Sequence, residues 1–136
     1  HAAWMYAARS AADAISTAAR SISETLQVAA IVSYTESGST AMRVARERPN
    51  VPIITLTPIA ATARRLALAW GQHCVLTPNA NSLEDMIDTA CDFASSQGFA
   101  EEGQRIIITV GVPLGEPGAT NMLRIAQVGK PRAAKN

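Results

Sequence analysis

Hydroxyl-bearing residues cluster in one short segment, residues 35–40, which reads Thr-Glu-Ser-Gly-Ser-Thr. An apolar run over residues 29–32 precedes this 35–40 segment, and an arginine-rich helical pattern follows it. Successive backbone N–H groups around a glycine can form a nest for an anion, and the hydroxyls are further donors. From spacing alone a second interpretation stays open, in which the hydroxyls only cap the following helix. The candidate phosphate ligands are Thr35, Ser37, Gly38, Ser39 and Thr40.

The segment differs from the well-known phosphate motifs. It has neither the Gly-x4-Gly-Lys-Ser/Thr pattern nor Gly-x-Gly-x-x-Gly. The dipole of the following helix would stabilise a bound anion by about 1 kcal/mol. Glu36 opposes such binding unless its carboxylate points away. Arg64 and Arg65 could contact an anion, but an exposed helix face explains them equally well.

Catalytic chemistry finds little support in the sequence. His73 stands at a predicted strand start and is expected to be structural, and Ser37 lacks a Gly-x-Ser-x-Gly elbow and an obvious base. The carboxylates of Glu84 and Asp85 fall in a predicted first helical turn, where acidic residues are common. No spacing of His, Cys or carboxylates indicates a metal site. We therefore predict no catalytic residue, no metal ligand and no cofactor in this chain.

Composition indicates a globular protein. Of the 136 residues, 48% are hydrophobic and 17% are charged, which suits one folded domain. The net charge of +1 gives no indication of nucleic acid or a membrane as a partner. No apolar stretch approaches the roughly 18 residues that a membrane span needs. Cys74 and Cys91 are expected to be reduced core thiols, which predicts a cytoplasmic location.

Hydrophobic periodicity predicts the order α-β-α-β-α-β-α-β-loop-β. The first helix, residues 12–26, is expected to bury a stripe of Ile15, Ala19, Ile22 and Leu26. The second is expected to bury Ala41, Val44 and Ala45. The third helix should be capped by Thr57, begin at Pro58 and run to about Trp70, before Gly71. The fourth helix should be capped by Ser82 and ended by Gly98. The predicted strands are residues 28–34, 52–57, 73–77, 105–110 and 120–128.

These elements predict a three-layer α/β/α domain. Its sheet should have about five strands, mostly parallel, with an antiparallel last strand. Ligands of such sheets bind beyond the carboxyl ends of the strands, which is where the 35–40 segment falls. We expect the domain to cover residues 13–129, with residues 1–12 as an extension and residues 130–136 as a flexible tail.

Three stretches carry a resemblance to a known family: "AAIVSYTESGSTAMRVARERPNVPIITLTP", "TARRLALAWG" and "GVPLGEPGATNMLRI". In this order they resemble the C-terminal domain of pyruvate kinase, over residues 13–129. The resemblance implies a regulatory domain that binds a phosphorylated effector and forms a subunit interface in a homo-oligomer. It also implies a catalytic barrel before this domain, which uses Mg²⁺ and K⁺ to transfer phosphate from phosphoenolpyruvate to ADP in glycolysis.

The resemblance also bears on which effector binds. In members activated by fructose 1,6-bisphosphate, the loop matching residues 35–40 holds one phosphate, and an effector loop with Gly-Trp-Arg-Pro-Gly closes over the sugar. This chain has no Trp or Arg in the matching residues 112–116. In those members a tryptophan and an arginine hold the other phosphate, and the position of that arginine falls near Met86 here. These departures favour a sugar monophosphate or AMP over the bisphosphate. The effector-loop candidates are Gly115, Glu116, Pro117 and Gly118.

Two rival functions remain. In the first, the domain is an assembly module whose effector site is inactive, and it pairs through the exposed edge of residues 120–128. In the second, it is an independent small α/β enzyme, which the sequence disfavours because it offers no nucleophile–base pair.

Overall fold

The computed structural model describes residues 11–68, 72–111 and 120–129. These ranges form four helices and five strands, and the predicted order of helices and strands is confirmed. The helices are α1 (Ala11–Leu26), α2 (Ser39–Arg46), α3 (Ala60–Leu66) and α4 (Leu83–Ser96). The strands are β1 (Ala30–Tyr34), β2 (Ile53–Thr57), β3 (Gln72–Leu76), β4 (Arg105–Val110) and β5 (Met122–Gln127).

All five strands join one sheet in the order β3-β2-β1-β4-β5. The first three pairings are parallel, and β4 pairs with β5 antiparallel, as predicted. β1 is central, so Ile31 lies between Ile53 on β2 and Ile107 on β4. The parallel strands β1 to β4 therefore end at one common edge, which is where the loops to α2, α3 and α4 begin.

Both faces of the sheet are covered. Every residue of β1 and β2 is buried, which fits their mostly apolar sequences. Alternate residues face opposite sides: Val32 and Tyr34 belong to a cluster with α4, whereas Ile31 belongs to a cluster with α1 and α2. The inner face predicted for α2 is confirmed, because Ala41, Val44 and Ala45 are buried.

The buried face of α1 differs from the prediction by a rotation of about one residue. Ile22 and Leu26 only pack at the margin of the core. The buried serines are tolerated because their hydroxyls donate to backbone carbonyls of the same helix, Ser16 to Ala12 at 3.0 Å and Ser23 to Arg20 at 2.6 Å. The residues that α1 buries are Ala12, Ser16, Ala19 and Ser23.

Helix α3 is shorter than predicted at both ends. Its N-cap is Ile59 rather than Thr57, because the Thr57 hydroxyl instead accepts the Ile59 N–H at 3.2 Å in the preceding turn. The helix ends at Leu66, and Leu68 beyond it is 92% exposed. The predicted end at Trp70 is therefore wrong, and Trp70 and Gly71 themselves lie outside the described residues.

The remaining boundaries agree within about two residues. β3 begins and ends one residue earlier than predicted, and β5 is shorter by two residues at its start. The Ser82 cap of α4 is confirmed, since its hydroxyl accepts the Asp85 N–H at 3.1 Å. Gly98, at φ 78°, follows the end of α4 and lets the next two N–H groups reach the Ala94 carbonyl.

Candidate functional site

The 35–40 segment connects the carboxyl end of β1 to α2. The Thr35 hydroxyl accepts the Gly38 N–H at 2.9 Å, which closes the turn. Gly38 adopts a left-handed conformation with φ 94° and is the N-cap of α2, with no side-chain hydrogen bond to that cap. The first N–H groups of any helix lack partners within it. The Thr35 hydroxyl thus stabilises the turn, and the Ser37 hydroxyl accepts the Ser39 N–H, the first of α2, at 3.3 Å. The N–H groups that follow Ser39 at the start of the helix can face an anion.

The five predicted ligands come together but are not equally accessible. The side chains of Thr35 and Thr40 are buried, and the Thr40 hydroxyl contacts the hydroxyl of Thr120, which precedes β5. Ser37 is exposed and Ser39 is half-buried, and their hydroxyls lie 3.1 Å apart. The two threonines therefore fix the shape of the loop, while the two serines offer donors to a ligand.

Helix α3 holds the segment from the side. The Thr62 hydroxyl donates to the Glu36 carbonyl at 2.7 Å, and the Arg65 guanidinium donates to the Ser37 carbonyl. The approach is close: a Cβ atom on Gly38 would lie 3.0 Å from Arg65 Nη2. The sequence alone did not distinguish Arg64 from Arg65 as a candidate anion ligand. The i, i+3 spacing places Arg65 on the same helix face as Thr62, and this spacing was the signal that could have distinguished it from Arg64.

A small cavity of about 180 Å³ opens at the same edge of the sheet, on the side covered by α4. Its wall includes Tyr34, the residue before the segment, whose hydroxyl accepts the Ala80 N–H at 3.2 Å. Thr77 also lines it, and its buried hydroxyl has no hydrogen-bond partner among the residues that the structure describes. Of the wall residues, Asp85 and Met86 also stood out in the sequence. The lining residues are Tyr34, Thr77, Pro78, Asn79, Ala80, Asn81, Asp85, Met86 and Thr89.

The cavity suits neutral polar groups better than a phosphate. Asp85 is its only ionisable carboxyl and no basic residue lines it, within the part of the chain that the structure describes. Met86, at the position where the family resemblance suggests an arginine, is fully buried. A phosphate here would meet a like charge without a compensating cation.

The other residues considered for chemistry lie elsewhere. The His73 ring packs against Phe99, with ring centroids 4.7 Å apart. Cys74 and Cys91 are thiols, and both are half-buried rather than in the core. Burial raises the pKa of the Cys74 thiol, so the protonated form is favoured at neutral pH. Among the described residues, no group of three His, Cys, Asp or Glu could hold a metal ion.

Two further predictions concern the effector loop and membrane spans. Residues 115–118, the effector-loop candidates, lie outside them. In the ranges 11–68, 72–111 and 120–129, the helices are too short or too polar to cross a bilayer.

β5 forms one of the two edges of the sheet, and β3 forms the other. Ile125 on this strand is 42% exposed, and a groove of about 610 Å³ runs between β5 and α4. The groove combines apolar and charged groups, with Ile87 and Ile125 beside Arg124.

Together these features define a three-layer α/β domain whose candidate ligand site lies at the carboxyl edge of its parallel strands. The family described as "Pyruvate kinase, alpha/beta domain" matches residues 13–126. The chain belongs to this family, which confirms the resemblance found in the sequence.

Individual relatives agree with this family. The chain is 50% identical to a pyruvate kinase of Methylorubrum extorquens over 125 residues, which cover 92% of the chain and 26% of the relative. It is 40% identical to a pyruvate kinase of Agrobacterium vitis over 116 residues, covering 85% and 24%. It is 42% identical to one of Geobacillus stearothermophilus over 113 residues, covering 83% and 19%. The chain thus spans about a quarter or less of these relatives.

Proposed function

We propose that this chain is the regulatory domain of a pyruvate kinase and binds a phosphorylated metabolite at the 35–40 segment. The observation that carries this proposal is the left-handed turn at Gly38, which precedes the start of α2 at the ligand edge of the sheet. Transfer of phosphate from phosphoenolpyruvate to ADP, with Mg²⁺ and K⁺, would belong to a catalytic barrel elsewhere in the enzyme. The domain alone is expected to be inactive.

The effector that fits best carries one phosphate. The 35–40 segment offers one anion nest, and the cavity beside it has a carboxylate and amide and hydroxyl groups in its wall. A sugar or ribose hydroxyl can use such groups, whereas a second phosphate would be repelled. A sugar monophosphate or AMP is therefore favoured over fructose 1,6-bisphosphate.

Titration calorimetry tests the site with inorganic phosphate, glucose 6-phosphate, AMP and fructose 1,6-bisphosphate. Ser37→Ala is expected to weaken glucose 6-phosphate binding by about 5- to 10-fold, because it removes one exposed donor. Ser21→Ala, an equally exposed serine on α1, is the matched control and should bind like the wild type. Absence of binding by the wild type contradicts the proposed function, and equal binding by both variants contradicts the role of Ser37.

A second candidate function is assembly, with an effector site that is inactive. The observation that favours it is the open edge of β5 with its exposed Ile125. An edge strand presents unpaired N–H and C=O groups that another chain can extend into a larger sheet. We propose that a second copy of the chain pairs here, whether or not an effector binds.

Ile125→Lys is expected to convert dimers into monomers, because a lysine on an edge strand opposes pairing. Ile59→Lys is the matched control, since Ile59 is 41% exposed and lies at the start of α3. This helix follows β2, which is separated from β5 by β1 and β4 in the sheet. Light scattering over a range of protein concentrations measures the mass. A wild-type chain that stays monomeric, or an Ile59→Lys variant that dissociates equally, would speak against assembly through β5.

A further inference from the structure

A phosphate at the 35–40 segment raises a question of charge. The segment contains a carboxylate, Glu36, and no basic residue. Backbone N–H groups and a helix dipole stabilise an anion only modestly at an exposed site. A phosphate dianion beside Glu36 therefore needs a cation from another element.

A cation that contacts the segment comes from α3. The guanidinium of Arg65 donates to the Ser37 carbonyl, and its Nη2 lies 3.0 Å from the point where a Cβ atom of Gly38 would stand. The charge is thus beside the left-handed residue that forms the nest. Arg65 is exposed, so the guanidinium is accessible to a ligand.

We infer that Arg65 is the cationic ligand of the effector phosphate, an inference that rests on the proposed function. A guanidinium has five N–H donors, and the carbonyl of Ser37 accepts from Nη2 alone. Donors on the other nitrogens remain for phosphate oxygens, in the planar geometry that favours two parallel bonds. Arg65 therefore positions the loop through Ser37 and neutralises the ligand that the loop binds.

Arg64 provides the matched control for this inference. It is the neighbour of Arg65, it lies in the same last turn of α3, and it is equally exposed. Both arginines stand in the turn where a cation is favoured by the helix dipole, and each contributes one positive charge. The recorded contact with the 35–40 segment is made by Arg65.

Titration calorimetry of the 136-residue chain with glucose 6-phosphate should compare the wild type with R65Q, R65K and R64Q. R65Q is expected to bind about 10- to 100-fold more weakly, because a charge-assisted pair of hydrogen bonds is lost. R64Q should stay within about twofold of the wild type. R65K should lie between the wild type and R65Q, because it keeps the charge but loses the planar pair of donors.

The pH dependence separates a ligand from a residue that only shapes the loop. A phosphate monoester gains its second charge near pH 6, at a pKa of about 6. Binding by the wild type and R64Q should therefore strengthen between pH 5 and pH 8, and binding by R65Q should strengthen much less. Glu36 on the segment and His73 on β3 are the same in all variants, so the comparison isolates Arg65.

Two results would overturn the role of Arg65 without contradicting the proposed function. In the first, R65Q binds glucose 6-phosphate as tightly as R64Q. In the second, R65Q and R65K bind it equally weakly and keep the pH dependence of the wild type. Thermal unfolding followed by circular dichroism checks that each variant is folded. If R65Q is not folded, the affinity of R65K tests the role of Arg65. A wild-type chain that binds no phosphate compound overturns the proposed function and this inference together.

Discussion

Gly38→Ala is expected to destabilise the domain by about 1–2 kcal/mol, the cost of a left-handed conformation in a residue with a Cβ. Gly38 has φ 94°, and its new Cβ would lie 3.0 Å from Arg65 Nη2 and 3.4 Å from the Leu66 methyls. The Arg65 guanidinium ends a flexible side chain and can move away, which would weaken its hydrogen bond to the Ser37 carbonyl. Because the turn forms the proposed anion nest, glucose 6-phosphate binding should fall by about 100-fold or more, since several hydrogen bonds are lost at once.

Gly98→Ala separates backbone strain from the close approach. Gly98 also has a positive φ, 78°, but a Cβ there would meet nothing within 4 Å. It should therefore lose a similar amount of stability, measured by urea unfolding, and keep the wild-type affinity for glucose 6-phosphate. If Gly38→Ala binds as well as Gly98→Ala, the turn at Gly38 is not part of a phosphate site.

Ile107→Ala is expected to lower the free energy of unfolding by about 2–5 kcal/mol, the range for truncation of a buried isoleucine that leaves a cavity. Ile107 is fully buried on β4, between Ile31 of β1 and Ile125 of β5. Its cluster joins the sheet to α1 and α2, so the loss is felt across one whole face. Much of the stability of an ordinary domain, about 5–15 kcal/mol, depends on such positions.

Ile125→Ala is the control, because Ile125 is the direct cross-strand partner of Ile107 and is 42% exposed. Its truncation should cost about 1 kcal/mol or less, since it leaves no enclosed cavity. Urea unfolding at several protein concentrations measures both variants and reveals any contribution from pairing through β5. Equal losses for the two variants would contradict the burial difference across this pair.

The sequence was sufficient for the fold because the central strands carry apolar residues on both faces. Ile53 and Ile54 of β2 lie on opposite faces of the sheet, a pattern typical of a mostly parallel sheet with helices on both faces. It was not sufficient for the buried face of α1, because Ser16 and Ser23 can be buried once their hydroxyls donate to their own helix. A hydropathy pattern assigns serine to the surface and cannot include this local satisfaction.

The position of the candidate site also followed from the sequence, since topology places the end of β1 at a ligand edge. Its internal roles did not. The contact of Thr40 with Thr120 joins residues 80 positions apart, and the contact of Arg65 with Ser37 joins residues 28 apart. Such pairs depend on how separate helices and strands pack, which local periodicity does not encode.

The hold of α3 on the loop has a consequence for binding thermodynamics. The carbonyls of Glu36 and Ser37 are already tied to Thr62 and Arg65 before any ligand arrives. Conformational entropy of these residues is therefore lost when the chain folds, and little remains to be lost when an anion binds. A substitution that weakens the contacts of α3 with the loop would then lower the affinity for an anion without contacting the anion. The empty loop would have more conformational entropy, which binding must remove.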